Sequence, residues 1–297
     1  MNTSPELLKT LVLRHSLFNL GSKFNKCNDC QYKCCSSPVS VDVSFADLLS
    51  LAEIWDKKPS QIFKDYCRIG INLNPDITKQ APLKKHEVKL SIELDTGCPF
   101  HQKSQCATYS HMTDFGEIGR PITCSIFPEI LNIHKTFPID QKTFSDYEET
   151  IKYFSGNFPC VANNEISIER GQILLLLQNI INQEQALTQT MVFAECPAYL
   201  DVEPLKQLMP KEFATFFKEE NTLSMERIDV TDKVTDAIRS FISEEHPEII
   251  KRLERFLFLL DTNPKSFTRF LKKIIDTPNI LPFPCKEENL LLTDIPL

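Results

Sequence analysis

Apolar residues recur at helical spacing near the start of the chain and again throughout its second half. Between residues 5 and 20 the pattern predicts an amphipathic helix, which Gly21 ends. After residue 165 the same period predicts a series of helices, over residues 166–190, 205–219, 234–241, 248–260 and 266–275. The second half of the chain is therefore expected to be all-α.

Alternating apolar and polar residues predict two strands in the first half of the chain. Val39, Val41 and Val43 form the first, and residues 88–94 form the clearer second one. Between them we expect two short helices. The spacing of Ser44 and Asp47 is that of a capping box, which starts a helix running to about Trp55. A second helix is predicted to begin at Pro59-Ser60 and to continue through Ile69.

The net charge of the chain limits the classes of molecule that it is expected to bind. The 297 residues carry a formal net charge of −7, and no cluster of lysine and arginine is interleaved with aromatic residues. We therefore expect the protein to bind neither nucleic acid nor an anionic membrane surface. The start of the chain lacks the pattern of a signal peptide, and the longest apolar run, Ile173 to Leu177, is far shorter than the roughly 20 residues of a membrane helix. These features predict a cytoplasmic protein.

Four cysteines crowd into nine residues of the first half, at Cys27, Cys30, Cys34 and Cys35. Their neighbours are polar and form no apolar face, so burial in a core does not account for them. In a reducing compartment such clusters are more often metal ligands or redox thiols than disulfides, whereas in a secreted protein the same spacing would be a disulfide framework. Two residues between thiols let both sulfurs face one metal ion. We therefore predict a metal site.

Four further cysteines complete the predicted ligand set: Cys98, Cys106, Cys124 and Cys160. Eight thiolates suit either two four-cysteine sites or one [4Fe–4S] cluster, with the other cysteines in reserve or on zinc. Adjacent Cys34 and Cys35 point in different directions from an extended backbone. Because a cubane presents several irons along different directions, this pair favours iron–sulfur over zinc.

Other ligand candidates lie in the same part of the chain. Four histidines lie near these cysteines: His86, His101, His111 and His134. Each is expected either to bind the metal where one of the cysteines does not, or to be solvated. The three remaining cysteines are expected to be structural: Cys67, Cys196 and Cys285. Cys67 is expected in the core because it shares a predicted helical face with Phe63.

The cysteines of the first half stand in longer motifs. These are Cys-x2-Cys-x3-Cys-Cys from residue 27, Cys-Pro-Phe from 98, Cys-x-x-Tyr from 106, and Arg-Pro-x-x-Cys from 120 with Phe-Pro at 127. Together they resemble the YkgJ-type family of cysteine-cluster proteins, described as zinc- or iron-chelating. The resemblance covers about residues 24 to 162 and implies that all eight cysteines hold metal. Within the same motifs, Arg120 and Tyr109 are expected to bind the cofactor, since a guanidinium beside thiolates can donate to sulfur or hold a substrate carboxylate.

The sequence departs from the family pattern at three points, and the first of them resembles one branch of the family. Ten residues separate Tyr109 from Arg120 where the common form has about two, Ser125 replaces the usual arginine, and Glu129 follows Phe-Pro. The longer spacer and the long helices after Cys160 resemble flagellin lysine N-methylases. That resemblance implies a protein substrate and S-adenosylmethionine as methyl donor. With seven glycines, the chain has none of the common glycine-rich motifs that bind nucleotides.

The fold class that follows is mainly α with a few short β-strands. A metal-organised, cysteine-rich N-terminal half, residues 1–162, is expected to precede an all-α C-terminal half, residues 163–297. Three functions stay open at this point. The first is a metal-binding cysteine-cluster protein, the second an S-adenosylmethionine-dependent protein lysine N-methylase, and the third a non-catalytic metal carrier or redox partner.

Overall fold

The computed structural model describes eight stretches of the chain: residues 4–21, 41–72, 87–95, 98–102, 105–127, 168–193, 199–212 and 225–276. In these stretches the protein is mostly helical with a few short strands, so the prediction of a mainly α protein is confirmed. Helices in the first half are α1 (Pro5–Gly21), α2 (Phe45–Ile54), α3 (Pro59–Tyr66) and α4 (Ile122–Ile126).

Helices α1 and α2 begin and end as the sequence predicts. Helix α1 covers the expected range up to Gly21. At the start of α2, the Ser44 hydroxyl accepts a hydrogen bond from the Asp47 backbone N–H, and the Asp47 carboxylate accepts one from the Ser44 N–H. Both halves of the capping box are therefore present, and they satisfy two backbone donors that a helix start would leave unpaired.

Helix α3 is shorter than predicted. It ends at Tyr66, and residues Cys67–Asn72 form strand β1 instead of a further helical turn. Every residue of β1 pairs with one of strand β2 (Glu87–Leu94), from Cys67 opposite Leu94 to Asn72 opposite Lys89. Pairing with a distant strand overrides the local helical pattern here. Cys67 is buried as predicted, but it lies on a strand.

Strand β2, which the sequence predicts, is the centre of a three-stranded antiparallel sheet. Strand β7 (Tyr199–Asp201) pairs with the first residues of β2 on the edge opposite β1. Further along that edge, the Val43 N–H donates to the Ile92 carbonyl and the Leu94 N–H donates to the Val41 carbonyl. Residues 41–43 thus lie extended beside β2, as their alternation predicts, although only Asp42 is bridged, to Glu93.

Two small hairpins, which the sequence analysis does not predict, follow the sheet strand. Strands β3 (His101–Gln102) and β4 (Gln105–Cys106) form the first. Strands β5 (Ser110–Thr113) and β6 (Gly116–Gly119) form the second, and Gly116 takes a φ of 131° that glycine adopts readily. The second hairpin occupies the longer spacer between Tyr109 and Arg120, and β6 leads directly into α4.

The second half contains α5 (Ile168–Phe193), α6 (Glu203–Leu208), α7 (Met225–Glu245), α8 (Pro247–Thr262) and α9 (Ser266–Asp276). Helices α5, α8 and α9 lie within three residues of their predicted bounds, whereas α7 covers the predicted 234–241 but extends from Met225 to Glu245. Helix α6 ends at Leu208, and residues 213–219 of the helix predicted over 205–219 lie outside the described residues. The half is not all-α, however, because β7 lies within it. A three-residue strand that pairs only at one edge leaves too short an alternation to be recognised in the sequence.

The larger hydrophobic core draws on residues from both sides of residue 162. Phe45 of α2 lies 5.2 Å from Phe267 of α9 between ring centroids, and Phe256 of α8 lies 6.0 Å from the same ring. A second core packs α1, α4, α5 and α9 together around Phe18 and Leu177. The predicted boundary near 162 itself lies outside the described residues. No helix in the described stretches combines the length and apolar character needed to cross a bilayer.

Candidate functional site

Three of the eight predicted ligand cysteines lie in the described residues, and all three fall between residues 98 and 124. Cys98, Cys106 and Cys124 are half-buried, whereas Cys67 is 7 % exposed and belongs to the core. Burial, with smaller contributions from the charges of Asp95 and Asp47, raises the pKa of the Cys67 thiol. The structure therefore separates a buried, protonated structural cysteine from three more accessible ones. The remaining predicted ligands lie outside the described residues: Cys27, Cys30, Cys34, Cys35 and Cys160.

A tight turn and a hairpin hold the first two of these cysteines. Cys98 has a φ of 23°, a backbone conformation that residues other than glycine rarely adopt. Its carbonyl accepts a hydrogen bond from the His101 N–H at 3.0 Å, which closes a β-turn through Pro99. His101 pairs directly with Cys106 across the β3–β4 hairpin. The Cys106 sulfur lies 3.4 Å from the hydroxyl of Thr108, a fully buried residue.

Cys124 lies in the single turn of α4, and α2 fixes where that turn begins. The Ile122 backbone N–H donates to the Asp47 carboxylate at 3.1 Å. A second contact runs from the Thr123 hydroxyl to the Asp42 carbonyl at 3.4 Å. The Cys124 N–H donates to the Pro121 carbonyl at 3.0 Å. Residues flanking the α2 start thus support the cysteine of the Arg-Pro-x-x-Cys motif.

The two residues predicted to bind the cofactor contact each other. The Arg120 guanidinium lies over the Tyr109 ring, 5.0 Å from its centroid, in a cation–π contact. The Arg120 Nε also faces the Ser125 hydroxyl at 3.4 Å, and the arginine is 7 % exposed. Arg120 therefore joins the strand region around Tyr109 to the α4 helix. Ser125, the departure from the family pattern, is its partner in α4.

A buried ionic cluster, made of Arg14, Ser44, Asp47 and Glu184, lies behind this segment. Arg14 donates from Nε and Nη2 to the two oxygens of Glu184, at 2.6 and 2.5 Å, and from Nη2 to Asp47 at 3.0 Å. The Ser44 hydroxyl donates to Glu184 at 2.7 Å. The three charged residues are each at most 3 % exposed. The cluster joins α1, α2 and α5 and, through Asp47, the start of α4.

The Ser44–Asp47 pair is recognisable in the sequence as a capping box, whereas no local pattern marks Arg14 or Glu184. Burial alone would lower the pKa of Arg14, but the carboxylates of Glu184 and Asp47 outweigh it and raise that pKa. Burial raises the pKa of Glu184, and the Arg14 charge opposes that shift. Two buried carboxylates share a single guanidinium, so hydrogen bonds from Ser44 and from the Ile122 N–H are needed to stabilise them.

His15, a residue of α1, packs against the second hairpin, close to both residues that are predicted to bind the cofactor. It is 5 % exposed. A β-carbon added at Gly119 would lie 2.5 Å from His15 Cε1 and 2.7 Å from the Tyr109 carbonyl oxygen. Only a residue without a side chain leaves room for the imidazole at this point. Gly119 therefore sets how closely α1 approaches the strand that carries Arg120.

Replacement of Gly119 by alanine is expected to lower the free energy of unfolding by about 2 kcal/mol, because the added methyl group overpacks this contact. The neighbouring atoms are an imidazole held in the core and a backbone carbonyl, and neither can move without cost. Urea unfolding followed by circular dichroism measures the change. Ser110→Ala, at the exposed residue paired with Gly119, is the matched control and should leave the midpoint unchanged. An unaltered midpoint in Gly119→Ala would show that the contact is not tight.

The described residues do not form a complete metal site by themselves. Within the stretches that the structure covers, no three histidine, cysteine, aspartate or glutamate side chains are grouped closely enough to hold a metal ion. Of the histidines considered as ligands, His101 lies beside Cys106 and His111 is exposed on β5. His86 and His134 lie outside the described residues. The donor types at 98, 101, 106 and 124 nevertheless fit zinc or iron–sulfur chemistry.

Comparison with models of protein families, with curated proteins and with solved structures finds no match for this chain. The resemblance of the cysteine motifs to the YkgJ-type family, and to the N-methylase branch, therefore stays a prediction from the sequence.

Proposed function

We propose that this protein is a metal-binding cysteine-cluster protein that holds an iron–sulfur cluster, with its metal ligands drawn from eight cysteines: Cys27, Cys30, Cys34, Cys35, Cys98, Cys106, Cys124 and Cys160. The observation that carries the proposal is the spacing of these cysteines, above all four thiols within nine polar residues. Thiolates at that density repel one another unless a cation or a covalent bond holds them together, and a bound metal supplies the cation. A reducing compartment such as the cytoplasm keeps such thiols available to metal.

The surroundings of the described cysteines support this proposal. Cys98, Cys106 and Cys124 stay half-buried while Cys67, outside the motif, is in the core. Two of the three stand on tight backbone structures, the turn at Cys98 and the hairpin at Cys106, that fix the position of the sulfur. The Thr108 hydroxyl at 3.4 Å can donate to a Cys106 thiolate, which is the support that metal-bound sulfur commonly receives.

Iron–sulfur is the preferred metal form and zinc the second. Both forms use cysteine thiolates, so the choice rests on the unequal spacing of the eight cysteines and on the adjacent pair Cys34 and Cys35. When bound, an iron–sulfur cluster would supply one-electron chemistry or a rigid structural link. The residues of this chain would hold it, shield it from solvent and set the charge around it.

Anaerobic purification of the full chain, with iron, zinc and acid-labile sulfide measured together with the optical spectrum, tests the proposal. We expect iron and sulfide in near-equal amounts and a broad absorption band in the visible region. Zinc without sulfide and without colour would leave a metal-binding protein but overturn the cluster. A chain that holds neither metal after reconstitution would contradict the proposed function.

A pair of cysteine variants separates metal ligation from packing. Cys106→Ala is expected to lose most of the bound metal, because Cys106 is half-buried and belongs to the predicted ligand set. Cys67→Ala is expected to keep the metal and to lose about 1 kcal/mol of stability, since it removes one buried sulfur atom. Metal content per chain is the measurement. Equal metal content in the two variants would remove Cys106 from the ligand set.

A further inference from the structure

One imidazole nitrogen stands out among the buried polar atoms of the described residues. The Nε2 atom of His101 is inaccessible to water and has no hydrogen-bond partner. A buried polar group without a partner costs about 1–3 kcal/mol, so each such case calls for a specific reason. A buried Glu203 oxygen also lacks a hydrogen bond but faces the Lys206 ammonium at 3.6 Å, whereas the Trp55 indole N–H and the Thr268 hydroxyl are unpaired in the same way as His101. Neither of those groups is a usual metal ligand, whereas a neutral imidazole nitrogen is one of the commonest.

The hairpin places a thiol beside this nitrogen. His101 and Cys106 are directly opposed in the antiparallel β3–β4 pair. Side chains of opposed residues lie on the same face of the ladder, with their β-carbons about 4.5–5.5 Å apart. Both residues are half-buried, while their neighbour Gln102 is exposed, which agrees with a shared inner face. A ladder pair of this kind brings one nitrogen and one sulfur toward a common point.

Backbone hydrogen bonds fix the main chain of both residues in this pair. The His101 N–H is fixed by the Cys98 carbonyl at 3.0 Å, and the Cys106 carbonyl accepts from the Tyr109 N–H at 3.2 Å. Next to this pair, at the open end of the hairpin, the Phe100 carbonyl accepts a hydrogen bond from the Ala107 N–H at 2.8 Å. The two donor atoms therefore belong to one rigid unit, the arrangement that an oriented metal ligand requires.

We propose that His101 is a metal ligand through Nε2 and that it acts together with Cys106. This inference rests on the proposed function and goes beyond it, because it replaces an all-cysteine site by one of mixed nitrogen and sulfur ligation. A metal bond at Nε2 accounts for the missing hydrogen bond. With His101 bound, one cysteine sulfur fewer is needed to complete the coordination of that metal.

X-ray absorption at the edge of the bound metal tests the proposal on the full chain. For bound zinc, we expect one shell of nitrogen at about 2.0–2.1 Å and one shell of sulfur at about 2.3 Å. For bound iron, we likewise expect a nitrogen shell at a shorter distance from the metal than the sulfur shell. His101→Phe should lose the nitrogen shell, whereas His111→Phe, at an exposed histidine of the next hairpin, should keep it. A sulfur-only shell in the metal-loaded parent, or a nitrogen shell that persists in His101→Phe, would overturn the inference and leave the proposed function standing.

His101→Cys provides a second route if the phenylalanine variant does not fold. It is expected to retain the parent metal content while the nitrogen shell is replaced by one additional sulfur. An unchanged nitrogen shell in that variant would contradict ligation by His101. A parent chain without any metal would instead overturn the proposed function, and the inference with it, so the two failures are distinguishable.

Discussion

Replacement of Glu184 by alanine is expected to lower the free energy of unfolding by about 3–5 kcal/mol. The change leaves the buried Arg14 guanidinium without the two-oxygen partner that it contacts at 2.6 and 2.5 Å. It also removes the acceptor of the Ser44 hydroxyl proton. Asp47 alone would then compensate the charge, through one hydrogen bond of 3.0 Å. Urea unfolding at neutral pH, followed by far-ultraviolet circular dichroism, gives the free energy directly.

Two further variants show whether charge or packing causes that loss. Glu184→Gln keeps the shape of the side chain and removes its charge, so it should cost most of the same free energy. The double variant Arg14→Met with Glu184→Leu removes both charges of this pair and leaves the Asp47 carboxylate with its hydrogen bonds from the Ser44 and Ile122 N–H groups. It should be more stable than Glu184→Ala, since no arginine is left buried beside an empty partner site. Equal losses in the single alanine variant and the double variant would show that packing dominates at this position.

We expect His15 to make the free energy of unfolding fall as the pH is lowered below neutrality. Burial, assisted by the charges of Arg14 and Arg120, lowers the pKa of His15 to about 4, although the carboxylates of Glu117 and Asp47 act in the opposite direction. The unfolded chain takes up this proton near the ordinary histidine pKa of about 6.5. Between those two pH values the unfolded state binds more protons than the folded state. The stability due to neutral His15 is therefore complete above about pH 6.5 and lost as the pH falls to about 4.

The expected loss reaches about 3 kcal/mol, because each unit of pKa difference corresponds to about 1.4 kcal/mol. Free energies of unfolding measured from pH 7.5 to pH 4 in the parent and in His15→Gln isolate this contribution, since carboxylates titrate in both proteins. The parent should lose more stability than the variant over this range. Parallel pH profiles would show that folding does not lower the pKa of His15.

Local signals in the sequence account for much of the first half of the fold. The capping box at Ser44 and the alternation along β2 depend only on neighbouring residues, and both are present as predicted. The local pattern predicts a helix through Ile69, but residues Cys67 to Asn72 form strand β1 because they gain their hydrogen bonds from β2, about 20 residues further along the chain. The β5–β6 hairpin has no alternating apolar pattern, since three of the four residues of β5 are exposed.

The buried ionic cluster shows more clearly what could not be predicted from the sequence. Arg14 and Glu184 are separated by 170 positions, and nothing in either local sequence distinguishes them from charges on a solvated helix face. Their pairing follows from the packing of α1 against α5, which a single sequence does not reveal. The clustered cysteines are the opposite case, because a metal site is predicted from their spacing alone, and that site stays a prediction. For His101, the sequence shows proximity to cysteines, but the unpaired Nε2 is visible only in the structure.

The position of β7 bears on how this molecule can be divided for experiments. That strand belongs to the helical half of the chain, yet it covers one edge of β2. In the core, Phe267 of α9 packs against Phe45, and Phe256 of α8 packs against the same Phe267 ring. A fragment truncated at residue 162 would present an open strand edge and an unfilled apolar surface, both of which promote aggregation. Insolubility of such a fragment would therefore report the lost C-terminal partner rather than a defect in its cysteines, and metal loading is best studied on the intact polypeptide.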